Sequence, residues 1–328
     1  MKTILVTGGA GFIGSNFINR FMDRYGRYHI INLDKLTYAA DLRFLKDVEC
    51  HPSYRFIQGD ICDAEFVGRI MEELRPDAVV NFAAESHVDR SIGDPGIFAK
   101  TNIIGVMTLM DAARRIWKEP GSEGKRFLQV STDEVYGSIT NEQEPFSEES
   151  PLRPNSPYSA SKASADLMVR SYVKTYGFPA IITRCCNNYG PCQNPEKFIP
   201  TCILNAIEDK PIPIYGDGSN IREWIYVQDH CDAIVRALFE GEPGEIYNIG
   251  SGEELSNIEL AKHILAILDK PLDMLQRVKD RPGHDFRYAL NSRKAMEKLD
   301  FRCSERFDER IRDTIVWYID NYSSTDKE

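Results

Sequence analysis

The chain opens "MKTILVTGGAGFIG", four apolar residues followed at once by glycines, and that switch restricts what can come next. Gly8, Gly11 and Gly14 stand at three-residue spacing between the run "TILVTG" and a helix predicted from about Ser15. Glycines so placed let a strand end, a turn and a helix N-terminus approach one another, and an anionic ligand, through backbone atoms alone. The rhythm then repeats through "HIINLD", "YRFIQGD", a helix near Ala64 to Leu74, "AVVNFAA", a helix from Asn102, "RFLQVS" and "PAIITRC". Short β-rich runs alternating with helical periodicity predict an α/β fold, a doubly wound parallel sheet covered on both faces.

A glycine triplet alone says little, but this one follows a strand, opens a helix and is answered by Asp34 about twenty residues on, where an acid would hold ribose hydroxyls. The reading is a Rossmann-type dinucleotide site in which Gly8, Gly11, Phe12, Ile13 and Gly14 cradle a pyrophosphate. Asp34 would repel a 2′-phosphate and so favours NAD over NADP, with Lys35 beside it. "QGDI" brings Asp60 and Ile61 toward the adenine, and "NFAAES" lines the cofactor with Ala83, Ala84 and Glu85.

Beyond "PAIITRC" the rhythm breaks into loops rich in Pro, Asn and Gly, which suits a smaller C-terminal α/β lobe for a substrate. "EIYNIG" reads as one more core strand, so the two parts interleave. The predicted division is 1–184 for the NAD-binding part, with 226–250 returning to it, and 185–225 plus 251–328 for the substrate lobe. The final "SSTDKE" reads as a frayed tail.

Lys and Arg number 40 against 50 acids, and the net charge of -10 argues against nucleic acid or an acidic membrane as partner. The first apolar run is too short for a signal peptide and no later run reaches membrane-spanning length, which predicts a cytoplasmic protein. Its eight irregularly spaced cysteines, with no C-x-x-C pair, read as reduced thiols, and no metal site is expected. The helix "NIIGVMTLMDAARRIW" is apolar on more than one face, as a helix shared between the sheet and a second subunit would be, which predicts a homodimer.

Two features carry chemistry. In "PNSPYSASKASAD", Tyr158 and Lys162 lie four apart after a Pro at a helix start, so they share a face and the lysine charge can draw the phenol toward ionisation. In "QVSTDEVYG", Thr132, Asp133 and Glu134 crowd two carboxyl groups at the end of a buried strand. Simple hydride transfer does not call for that pair. The bland reading of the acids is a helix cap or surface turn.

With these residues in place, the glycine motif, Tyr158 with Lys162 and the length are similar to the extended short-chain dehydrogenase/reductases that modify nucleotide sugars. More narrowly, "VSTDEVYG", "ESHVDRS", "NNYGP", "PEKFIP", "YGDGSNIREWIYVQDH" and "RPGHDFRYA" resemble the dTDP-glucose 4,6-dehydratase family, over nearly the whole chain. The resemblance implies a lyase of deoxysugar biosynthesis. Tyr158 takes the 4-hydroxyl proton while the carbon-4 hydride passes to NAD, and Thr132 holds the 4-oxygen. Glu134 removes the proton from carbon 5, protonated Asp133 serves the departing 6-hydroxyl, and the hydride returns to carbon 6. Physically, a carboxyl beside a second carboxylate in a closed pocket can keep its proton near neutral pH.

For the substrate, Arg222 and Arg281, with Asn187, match a diphosphate. The resemblance adds Ser86, His87, Glu196, Lys197 and Phe198, and further along Tyr215, Asn220, Asn257, His284 and Tyr288. It departs at Cys186 and Phe198, where the family has serine and leucine. A nucleotide-sugar 4-epimerase would share fold, cofactor, Tyr and Lys but needs neither acid. A sensor that binds NAD without turnover would be expected to have lost part of the acid/base set, and here all of it is present.

Overall fold

The computed structural model of the chain describes residues 2–118, 123–304 and 306–322. Its strands in chain order are β1 (Thr3–Thr7), β2 (His29–Asp34), β3 (Tyr54–Gln58), β4 (Ala78–Asn81), β5 (Arg126–Thr132) and β6 (Ala180–Cys185). They continue as β7 (Asn187–Tyr189), β8 (Ile212–Tyr215), β9 (Ile221–Tyr226), β10 (Ile246–Ile249), β11 (Glu254–Ser256) and β12 (Leu275–Val278). Seven of them form one sheet in the order β10-β6-β5-β4-β1-β2-β3, parallel throughout.

The strands are apolar on both sides because both faces are covered. Ile4 and Val6 of β1 join a core with Phe17 and Phe21 of the helix Phe12–Arg24 and Ile234 and Leu238 of the helix Val227–Glu240. The intervening Leu5 points the other way, into a core with Val67, Leu109 and Val169 from three other helices. That period-two split is what a two-sided sheet requires. A third core, around Ile203, Trp224, Ile264 and Ile315, belongs to the later part of the chain, where β11-β9-β7 and β12-β8 form two small sheets.

β1 lies between β2 and β4, so the chain reverses its direction of winding at the β1–β4 boundary, and a crevice opens at the carboxyl ends of these strands. Two predicted helix starts shift. The first helix begins at Phe12 rather than Ser15, because Gly11 serves as its N-cap. The helix predicted from Asn102 is α-helical only from Val106, after a wider π-type turn over Lys100–Gly105. There the Asn102 amide is turned to the backbone of Glu85, accepting from its N–H at 2.9 Å and donating to its carbonyl at 3.0 Å. Such wide turns often adjoin functional sites. The "SSTDKE" tail lies outside the described residues. Among the described residues no helix is long and apolar enough to cross a membrane.

Candidate active site

A cavity of about 300 Å³ fills the crevice, and it gathers the predicted glycines, Asp34, Lys35, Asp60, Ile61, Ala83 and Ala84 with Thr132, Asp133, Glu134, Tyr158 and Lys162. At its dinucleotide end the fit is set by backbone. Gly8 has φ +72°, and a Cβ there would stand 2.6 Å from the Ala83 nitrogen. A Cβ on Gly14 would stand 2.3 Å from the Gly8 carbonyl oxygen. Gly11 caps the helix without a side chain, leaving the first-turn amides to a ligand.

Asp34 is buried, and its two carboxylate oxygens accept the N–H groups of Ala10 at 2.9 Å and Leu36 at 2.8 Å. Burial raises its pKa against these bonds. Lys35 is paired with Asp60 at 2.8 Å, so its charge is already met by a carboxylate. The residues present therefore fit NAD.

The reactive end hangs from the tip of β5. Thr132 caps the short 3-10 turn Asp133–Tyr136, its Oγ1 accepting the Glu134 N–H and donating to Asp133 Oδ1 at 3.1 Å. Asp133 is 1% exposed, and its Oδ2 meets no partner among the described residues. Burial, reinforced by the negative charges of Glu134 and Glu223, holds this carboxyl well above the usual range. Burial raises Glu134 too, but there the cations Arg222, Lys197 and Arg281 oppose it. Both acids are thus raised, but unequally: other negative charges add to burial at Asp133, while cations oppose it at Glu134.

Tyr158 and Lys162 lie one turn apart on the helix Pro157–Tyr176, whose start is fixed by Pro157 and by a reciprocal cap between Ser156 and Ser159. The expected pull of Lys162 on the phenol is not what this geometry gives. The ammonium donates to the Val130 carbonyl at 2.7 Å, and burial lowers its pKa. The phenol, buried and beside Glu134 and Asp133, is pushed far up, with the Thr132 hydroxyl opposing. Charge from the two acids outweighs the lysine here.

The remaining predicted residues divide. Ser86, Asn187, Glu196 and Lys197 line the same cavity, where Lys197 Nζ donates to the Ser86 carbonyl at 2.9 Å and the buried Asn187 Oδ1 is unpartnered among the described residues. His87 stands 3.7 Å from Glu196. The others lie outside that cavity, in the later part of the chain. Arg281 pairs with Asp89 at 3.5 Å, meets His284 at 3.3 Å and lies over the Tyr215 ring. Arg222 donates to the carbonyls of Ile221 and Asp285 and lies over the Tyr288 ring, while Tyr288 hydrogen-bonds the Asp285 carboxylate. Asn220 donates to Asp285 O, Asn257 opens the helix Asn257–Ile267, and Phe198 stacks on Trp224.

Sequence reasoning passed over Ser131, Asn188 and Gln193, which also line the cavity, and the buried acids Glu223 and Asp285. A signal existed for Glu223: it shares the inward alternation of Ile221 and Ile225 in "IREWIY", where an acid is out of place without a task.

A family model described as GDP-mannose 4,6 dehydratase matches residues 5–314. The dTDP-glucose 4,6-dehydratase of Neisseria meningitidis serogroup B is 49% identical, over 98% of this chain and 94% of its own. The structure of the dTDP-glucose 4,6-dehydratase of Streptomyces venezuelae with NAD bound superposes with a TM-score of 0.91 at 45% identity, covering 97% of each chain. The Thermus thermophilus UDP-glucose 4-epimerase, also with NAD, follows at 0.87 and 30%, covering 96% of this chain and 98% of its own. On identity and coverage together, the chain belongs to the dTDP-glucose 4,6-dehydratase family.

Proposed function

We propose that the protein is an NAD-dependent lyase that dehydrates dTDP-glucose to dTDP-4-keto-6-deoxy-glucose. The observation that carries this reading is the pair Asp133 and Glu134 at the tip of β5, adjacent and both raised by burial, with negative charge reinforcing the proton on Asp133 and cations facing Glu134. NAD held in the cavity supplies the acceptor for the carbon-4 hydride and the donor of the same hydride to carbon 6.

The chain's own groups do the rest. Tyr158 receives the 4-hydroxyl proton as the phenolate, a form that the positive charge of bound NAD would favour against burial and the two acids, and Thr132, next to it, holds the 4-oxygen. The resulting ketone acidifies the proton on carbon 5. Glu134, its charge favoured by Arg222, Lys197 and Arg281, removes that proton. The electron pair forms the carbon 5–carbon 6 double bond, the bond from carbon 6 to oxygen breaks, and Asp133 delivers its proton so that water leaves. Glu134 then returns its proton to carbon 5, and the proton gained by Tyr158 reaches Asp133 through solvent. The sum is loss of one water with no net redox.

Arg222 and Arg281 with Asn187 serve as diphosphate contacts, and His87, Glu196, Lys197, Tyr215 and Asn220 form the sugar and base side. The division of labour is 1–184 with 226–250 for cofactor, and the rest for substrate. Ile97, Ile104 and Leu167 are exposed on adjoining helical segments and are covered in a homodimer. All eight cysteines are free thiols, in keeping with the cytoplasm.

The test is incubation with dTDP-glucose without added reductant, followed by mass spectrometry. A product lighter by one water, abolished by Asp133→Asn or Glu134→Gln, supports the reading; an unchanged mass with inverted carbon 4 identifies an epimerase instead. A monomer mass by light scattering at micromolar concentration would remove the dimer.

A further inference from the structure

Glu223 takes no part in the chemistry above, yet it is a carboxylate 1% exposed on β9. Its Oε1 accepts the Gly252 N–H at 2.7 Å and its Oε2 the Leu290 N–H at 2.8 Å, donors that favour the ionised form against burial. A Cβ at Gly250 would stand 2.3 Å from Oε1, so backbone closes around it. The neighbouring cations are engaged elsewhere: Arg287 holds Glu254 at 2.6 and 2.8 Å, and Arg222 holds the carbonyls of Ile221 and Asp285.

Strand register shows what this anion faces. Thr132 pairs with Cys185 across β5–β6, and Asn187 pairs with Trp224 across β7–β9. Asp133 and Cys186 are the residues directly after the first of these pairs, and Cys186 and Glu223 those directly before the second, so Cys186 adjoins both pairings. Cys186, 2% exposed, feels both acids. A thiol is a weak hydrogen-bond donor, and Asp133 Oδ2 meets no partner there.

We propose that Glu223 is a positioning residue of the elimination step, a fixed anion behind Asp133 that keeps the Asp133 carboxyl protonated until the 6-hydroxyl departs. The role rests on the dehydratase reading. The other groups facing Asp133 are Glu134 from its own turn, Arg222 from β9, Tyr158 from the catalytic helix, and the thiols of Cys185 and Cys186. Glu254 from β11, Arg287 and Cys303 face Glu223 itself. Of the charged groups facing Asp133, Glu223 is the anion locked by backbone and not called on to move a proton in the cycle.

The experiment is the pH profile of kcat on dTDP-glucose for the holoenzyme and for Glu223→Gln. Because Asp133 must carry its proton, its loss sets the alkaline limb, and removing the second anion moves that limb toward acid by about one pH unit, a tenfold loss of rate above it. Reduced nicotinamide accumulates in the first turnover there, since hydride removal proceeds while elimination lags. Glu223→Asp, which keeps the charge, returns the limb toward its original position.

A bracket that merely ties Gly252 to Leu290 would change stability and leave the limb in place, and that result overturns the proposal. Should Glu223→Gln fail to fold, Glu223→Ser, smaller and uncharged, carries the same test; an unmoved limb is again fatal. Wild-type protein that does not dehydrate dTDP-glucose removes the functional reading at its root, which separates that failure from this one.

Discussion

At the dinucleotide end of the cavity, Gly8, Gly14 and Ala83 are pressed together through backbone atoms; beyond the cavity, in the later part of the chain, Arg281, His284 and Arg222 are held by other side chains and by loop carbonyls. The first arrangement has no freedom to yield, because a clash with a carbonyl oxygen cannot be relieved by a rotamer. The second can exchange partners, since Arg281 can leave Asp89 for a phosphate without moving a strand. Cofactor affinity and substrate affinity should therefore respond differently to similar changes.

The largest expected effect is Gly14→Ala. Its Cβ would meet the Gly8 oxygen at 2.3 Å and Gly9 Cα at 2.7 Å, so the helix must withdraw from the strand end. The cost is about 3 kcal/mol, the upper part of the usual range for overpacking. The purified variant is expected to lose NAD, read as a lower ratio of absorbance at the nucleotide band to that of protein, together with a lower Tm. A variant that keeps both would break the contrast at its firmer end.

Arg281→Ala probes the other end. The arginine is only partly buried and its ion pair with Asp89 is long, at 3.5 Å with side-chain exposures of 26% and 40%, so Tm should hardly change. Losing charge-assisted bonds to a diphosphate costs about 1.5–3 kcal/mol, roughly a tenfold to hundredfold rise in KM. NAD content should stay as it was. A fall in Tm with KM unmoved would mean that Arg281 braces the lobe and does not contact substrate.

The same contrast decides what could be read from the chain. Gly8, Gly14 and Asp34 were legible because a backbone cradle needs fixed residue types at fixed spacing, and unbroken apolar runs such as Ile4, Leu5 and Val6 between helices announced the two-faced sheet. Tyr158 and Lys162 were legible as a helical pair, but the balance of charge on Tyr158 was not, because it depends on Asp133 and Glu134, which reach it only in three dimensions. Glu223 and Asp285 stayed hidden for the same reason: each meets its partners across dozens of residues, Glu223 to Leu290 and Asp285 to Asn155. The π-type turn at Lys100–Gly105 was likewise set by Asn102 reaching Glu85 and Ser161, not by local propensity.

Asp133 stands at the seam of the two regions and gives a smaller, signed prediction. Its folded pKa lies well above its ordinary value, chiefly through burial and then through Glu134 and Glu223. The folded protein therefore binds this proton more tightly than the unfolded chain does. Stability from this group is present below the unfolded pKa and declines as pH rises from there toward the folded value. Asp133→Asn removes that decline, so the inactive variant should be more stable than wild type at neutral pH, by about 1 kcal/mol, with the difference fading in acid. Thermal unfolding of both proteins across that range checks the sign; a variant less stable at neutral pH would show that the carboxyl is a structural asset.

The smallest effect lies back at the cofactor end, in an ion pair made by side chains. Lys35 and Asp60 meet at 2.8 Å, but their side chains are 51% and 27% exposed, so solvent and salt screen them. Burial pushes Asp60 up, yet the Lys35 bond and the Cys62 N–H leave it below its ordinary value, while Asp60 raises Lys35. The Asp60 contribution is present above its unfolded pKa and lost as pH falls through the folded one; that of Lys35 is present below its unfolded pKa and lost as pH rises through the folded one. Near neutrality both are intact, and Asp60→Asn should cost less than about 1 kcal/mol. Its more telling consequence is for cofactor choice. With Asp60 neutral, Lys35 is free to swing toward a 2′-phosphate, so NADP should gain on NAD by a few fold, roughly 1 kcal/mol at most. Preference should still not invert, because Asp34 stays buried with its oxygens fixed on Ala10 and Leu36 and keeps its place against the phosphate. Competitive displacement of NAD by NADP in Asp60→Asn measures this directly, and full inversion would place the selectivity in the movable pair and not in the backbone-held acid.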